Sequence, residues 1–130
     1  MLKLKAIKLR LIKVNKGVTE KHIFEKSMIQ NSIFAQTWSV AKVEPDKYFG
    51  KQITVYEFTV KNHPLEILYK KSKGTNIRIM ISEGKVIGGY SQYNDDVLND
   101  FCSLDGKSLY EVTGLSYQQW QESWSKKYGN

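Results

Sequence analysis

The side chains best equipped for chemistry in this sequence are Cys102, His22, His63 and the carboxylates Asp95, Asp96, Asp100 and Asp105. A cysteine beside a histidine and an acid could form a nucleophilic set. Triads are defined by geometry, however, and a chain of 130 residues contains such trios by composition alone. No family signature surrounds Cys102, so a packed or incidental cysteine is the better reading. A zinc site would have to draw on Cys102, His22, His63 and carboxylates, and none of these has ligand spacing. The stretch YNDDVLND (93–100) lacks the alternating ligands, central glycine and closing glutamate of a calcium loop. Gly84, Gly88 and Gly89 fit a hairpin. A phosphate-cradling loop would need a helix directly after it, and none follows. The sequence therefore predicts no catalytic residue, no metal ligand and no cofactor.

Positive charge is the more telling signal. Lys3, Lys5, Lys8, Arg10 and Lys13 alternate with Leu, Ala and Ile at the front of the chain. Residues 1–65 hold twelve Lys or Arg against five Asp or Glu, while residues 66–130 hold eight of each. The whole formal charge of +7 thus belongs to the first half. Such a field favours anionic partners: a wall polymer, a membrane surface, an acidic protein or nucleic acid. The competing reading is a solubilising surface. The RNP motif, the GXXG loop and the C2H2 pattern are all absent. These five bases are the candidate binding residues. Tyr117, Trp120 and Trp124 stand at i, i+3 and i+7 and could stack on sugars or bases. That spacing fits a helical stripe docked on a core better.

These side chains depend on the elements that carry them. LKLKAIKLRLIKV (2–14) alternates like a half-buried strand, with slips at Ala6-Ile7 and Leu11-Ile12 that suggest bulges. Thr19 as an N-cap, followed by apolar residues at Ile23, Phe24, Met28 and Ile29, predicts a helix over about 19–31. TWSVAKV (37–43) reads as a strand, and Glu44-Pro45-Asp46 as a turn. QITVYEFTVK (52–61) is the clearest strand, with Ile53, Val55, Glu57 and Thr59 on one side. After the break at Asn62-His63-Pro64, residues 65–69 read as a short extended segment. Residues 77–81 and 85–87 flank Ser82-Glu83-Gly84 as a hairpin, and Gly88-Gly89 marks a bulge or a close backbone approach. A turn of helix is expected around Val97–Phe101. Ser116 caps a final helix over about 116–127, closed by Lys126 and Lys127 and stopped by Gly129.

With 41% hydrophobic and 12% aromatic residues, the chain can bury a normal core without cross-links, and its lone cysteine allows no internal disulfide. No apolar run approaches a membrane span. The basic start is followed by neither a continuous apolar segment nor a cleavage site, so the chain reads as neither a signal-bearing precursor nor an integral membrane protein. The expected fold is a single α+β domain over 1–130. It has a largely antiparallel sheet with the helices at about 19–31 and 116–127 packed on one face.

Several segments carry a resemblance: Tyr48-Phe49-Gly50-Lys51, YEFTVKNHPL (56–65), GKVIGGYS (84–91), SLDGK (103–107) and the closing helix with Trp120 and Trp124. Over about residues 42–130 the chain resembles small exported or lipoprotein-type proteins of unknown function from bacilli and related Gram-positive bacteria. The resemblance implies a cell-envelope location and an architecture, with no reaction attached. Residues 1–30 depart from that pattern, having neither a signal peptide nor a lipid-attachment cysteine. Together these readings predict a non-enzymatic binding or interaction domain at the envelope, contacting an anionic partner through its basic half. The alternative is a cytoplasmic modulator that binds a protein or nucleic acid, derived from a phage or mobile element.

Overall fold

β-branched and aromatic residues at nearly every position make QITVYEFTVK a strand that can be covered on both edges. In the computed structural model this segment is β2, Gln52–Lys61, and it pairs on both sides. The model describes residues 10–61, 63–68, 74–93 and 100–129, with 10–19, 67 and 68 described by backbone alone. One neighbour of β2 is β1, Arg10–Ile23, and the other is β3, Thr75–Ser82. β4, Lys85–Tyr93, returns from the tight turn at Glu83-Gly84, and the two-residue β5, Cys102–Ser103, ends the sheet. All four pairings are antiparallel, and strand order follows chain order, β1-β2-β3-β4-β5. The α+β class and the largely antiparallel sheet are as expected.

The front half departs from the sequence reading. Thr19 to Ile23 continue β1, so no helix covers 19–31. The alternation of Glu20 and His22 with Lys21 and Ile23 suits a strand. It pairs Glu20 with Val55 and His22 with Ile53. A 3-10 turn at Lys26–Gln30 then carries the chain over the core. Helix α1 spans Ser32–Ala41 and takes up residues 37–41 of the strand expected at 37–43. Its start signal is Asn31, whose side chain accepts from the backbone N–H groups of Ile33 and Phe34. It ends at Lys42 in the left-handed region, φ 59°, a site more often given to glycine.

Of residues 65–69, expected to be extended, Leu65–Leu68 instead form the single turn α2, and residue 69 lies outside the described residues. A further short helix, α3, Leu109–Thr113, has a full capping box between Ser108 and Glu111. The final helix, α4, Tyr117–Tyr128, agrees with the expected one, and Ser116 caps it with Gln119 in return. The expected strand residues 2–9 and most of the helical turn around 97–101 lie outside the described residues, and Asp100 and Phe101 carry no helix.

Pairing of Val55 with Met80 puts them on one face of the sheet, together with Ile53. That face joins Trp38 and Val40 of α1, Phe24 and Ile29 in one buried cluster. Phe24 stacks on Trp38 with ring centroids 4.2 Å apart. Gly88 makes room for the end of α1: a Cβ there would stand 2.5 Å from Val43 Cγ2. α4 packs outside α1. Trp120 Nε1 donates to Ser39 Oγ at 2.9 Å, and Trp124 Nε1 donates to the Ile29 carbonyl at 2.9 Å. α1, α3 and α4 thus form a stack on one side of the sheet, while α2 touches β4.

Candidate functional site

The face that carries the core is apolar over only part of its length. Beyond Ile53 and Val55, the same side of β2 continues as Glu57, Thr59 and Lys61. The register sets Glu57 against Arg78 and Arg78 against Tyr90; it sets Thr59 against Asn76 and Asn76 against Gln92. Two polar rows therefore cross β2, β3 and β4 on the face that elsewhere holds the core.

Arg78 organises the first row. Its Nη2 lies 2.6 Å from Glu57 Oε1, with the two side chains only 18% and 15% exposed. Nη1 donates to Gln92 Oε1 at 3.3 Å. The guanidinium stands 5.8 Å from the ring centroid of Tyr90 and 5.9 Å from that of Phe101, close enough for attraction to both ring faces. Burial pushes the Tyr90 hydroxyl up to about 12, so it stays neutral. In the second row Thr59 Oγ1 donates to Asn76 Oδ1 at 2.8 Å.

The register of β1 extends this surface. Arg10 lies opposite Lys61 and Lys13 opposite Thr59, with an irregularity between Leu11 and Lys13. Two of the five candidate bases thus occupy positions on the polar end of this face. Lys3, Lys5 and Lys8 lie outside the described residues. Like charges directly opposite on antiparallel strands repel. An anion held between them removes that cost. Such a surface supplies point charges and the Asn76 amide N–H groups to an anionic oxygen. Its acid, Glu57, is engaged by Arg78 and so is poorly placed as a general base.

Cys102, His63 and Asp105 are engaged by the surrounding structure. Burial pushes the Cys102 thiol up to about 11, which keeps it protonated and weakly nucleophilic at neutral pH. His63 is buried and spends both ring nitrogens on backbone groups. Asp105 accepts from Ser103 Oγ, and Asp95 and Asp96 lie outside the described residues. His22 sits between Glu20, 3.6 Å away, and the ring edges of Phe24 and Phe34. Among the described residues no group of three or more His, Cys, Asp or Glu could hold a metal ion, and no helix is long and apolar enough to cross a membrane. Trp120 is buried and Trp124 half-buried, so neither offers an open stacking platform.

Sequence reasoning missed Lys61, Asn76, Arg78 and Gln92. Their signal was present as polar residues at alternate strand positions, Asn76 and Arg78 leading to Met80 and Glu57 following Val55. Only the register shows that these alternations meet. No family model matches the chain, and neither the curated proteins nor the solved structures contain a match to it.

Proposed function

We propose that this protein is a non-enzymatic binding domain that takes an anionic polymer of the cell envelope on the polar end of its sheet. The observation behind this reading is the register that sets Arg10 against Lys61 and Lys13 against Thr59, next to the Arg78 row. Clustered cations gain affinity by releasing counterions from a polyanion, and the neighbouring Asn76 amide can donate to anionic oxygens. The envelope location rests on the resemblance over about residues 42–130.

The test is binding to a glycerol-phosphate wall polymer, followed by fluorescence anisotropy across a salt series. The Arg10→Ala/Lys13→Ala/Lys61→Ala variant should bind more weakly, with a log–log salt slope shallower by about 2–3. Unchanged affinity in that variant defeats the reading. Tight binding to duplex DNA with none to the wall polymer moves the protein to the cytoplasmic nucleic-acid class.

A further inference from the structure

An antiparallel sheet with helices on one face ordinarily turns polar side chains to water on the other. This sheet does the reverse. The face opposite the core carries Thr54, Tyr56 and Phe58 from β2 and Ile77, Ile79 and Ile81 from β3. The register sets Phe58 against Ile77, Tyr56 against Ile79 and Thr54 against Ile81. Val86, opposite Ile81, and Ile23, opposite Gln52, extend this face and are 58% and 50% exposed. Tyr56, Phe58, Ile77, Ile79 and Ile81 are half-buried, and none of them packs against the core cluster.

One corner of this face is closed. Leu104 lies over Gly89, where a Cβ would stand 2.7 Å from its Cδ1, and Leu65 sits beside Gly106. Among the described residues no helix is laid across β2 and β3 on this side. The charge of the sheet is on the other face: Glu57, Arg78 and Lys61 hold core-face positions. Among the described strand side chains the apolar face has Lys21 alone, exposed at its β1 margin opposite Thr54.

We propose that this apolar face is the contact surface of a homodimer, in which two copies stack sheet on sheet about a two-fold axis. Charge chooses the occupant. A polyanion or an anionic membrane is drawn to bases, and the bases lie on the opposite face. A second copy brings an equally apolar and nearly uncharged face, and Lys21 at the rim keeps its ammonium in water. Area agrees with that choice. Strands about 4.8 Å apart, followed from Gln52 to Phe58 at about 3.4 Å per residue, give a footprint on the order of 400 Å² outside the Leu104 corner. Apolar patches of that size on a monomer mark interaction sites. With their rims, two copies bury on the order of 1,000 Å², the lower bound of a specific interface, so the dimer is reversible rather than obligate. Stacking leaves the polar end of the core face open on both copies, and the dimer is independent of the polymer-binding reading.

The experiment is sedimentation velocity of the full chain from about 1 to 500 μM, with NMR on a mixed-label sample at the upper end. The mass should rise reversibly from 15.1 kDa toward twice that value. Ile77→Thr/Ile79→Thr keeps β-branched residues on β3 and should raise the dissociation constant about tenfold or more. The mixed-label sample should show contacts between copies that join isoleucine methyls to the Tyr56 and Phe58 rings. A wild-type chain that keeps one mass across the series overturns the dimer. So does a dimer that the double variant leaves unchanged, which puts the contact elsewhere, such as the β1 edge. A monomer that sediments with phosphatidylglycerol vesicles, and loses them in the double variant, gives the face to a lipid surface instead. If the variant does not fold, the mixed-label contacts decide, and their absence in a wild-type dimer overturns the stacking.

Discussion

Trp124 Nε1 donates to the backbone carbonyl of Ile29 at 2.9 Å, joining the last helix to the 3-10 turn that replaces the expected first one. Ile29 is completely buried. The bond gives a buried carbonyl its partner, and the indole covers the apolar residues around it. Trp120 repeats the arrangement one turn earlier, with Ser39 of α1 as acceptor.

Removing residues 116–130 should therefore destabilise the domain by about 3–5 kcal/mol or more, the scale of losing one large buried aromatic side chain. Trp124→Phe keeps most of the packing but leaves the Ile29 carbonyl without its partner, and should cost about 1–3 kcal/mol. Urea unfolding followed by far-UV circular dichroism measures both. An unchanged midpoint after the deletion would refute the anchoring of α4.

Gly88 and Gly89 make a paired prediction. A Cβ at Gly89 would stand 2.7 Å from the Arg78 backbone carbonyl and 2.7 Å from Leu104 Cδ1. A Cβ at Gly88 would meet the Val43 side chain, whose tip can move more easily than the backbone of β3. Gly89→Ala should cost more stability than Gly88→Ala, by about 1–2 kcal/mol on the scale of overpacked cores. The order of the two urea midpoints checks it.

Alkaline stability follows from one buried and one half-buried weak acid. The Cys102 thiol is pushed up to about 11 from 9.0, and the Tyr90 hydroxyl up to about 12 from 10.0, both chiefly by burial. In each case the folded chain holds its proton longer than the unfolded chain. Their contribution is present in full below pH 9 and declines as pH rises through 9 to 12. Thermal melts should show a falling midpoint from about pH 9 upward, and Cys102→Ala should remove the earlier part of that fall. Thiol labelling at pH 8 should be slow in the folded protein and fast in urea.

Legibility divides along the chain by the range of the interactions involved. β2 and the β3–β4 hairpin were readable because their alternation and turn chemistry are local. α4 was readable from Ser116 and the Trp spacing. Between residues 19 and 43 two signals overlapped. Phe24, Met28 and Ile29 mimic a helical period because a 3-10 turn brings them over the same core that α1 covers. Thr37, Ser39, Lys42 and their neighbours alternate by accident, since α1 buries Ala35, Thr37, Trp38 and Val40 around much of its circumference. The cap that starts α1 is Asn31, while Thr19 lies inside β1. The basic residues of the site were visible at Arg10 and Lys13. Lys61 and the Arg78 row were not, because cross-strand register is set by tertiary pairing.

The Glu57–Arg78 pair offers a test in which stability and binding move in opposite directions. The two side chains are 15% and 18% exposed, so neither is fully dry and water screens part of their attraction. Glu57→Gln leaves the guanidinium without its anion in a half-buried place. It should cost about 1–3 kcal/mol, below the range for a fully buried pair because of that screening. Arg78→Met/Glu57→Gln replaces both charges, and the apolar methionine can keep the contact with Tyr90 and Phe101. The double variant should recover part of the loss, and a double-mutant cycle separates the pair term from the packing term. Binding should respond the other way in the single variant. Removing the carboxylate adds one net positive charge beside Lys61, so Glu57→Gln should tighten polymer binding and steepen its salt slope by about one. Should Glu57→Gln weaken binding while the fold stays intact, the polar rows are not the surface that meets the polyanion, whatever their contribution to stability.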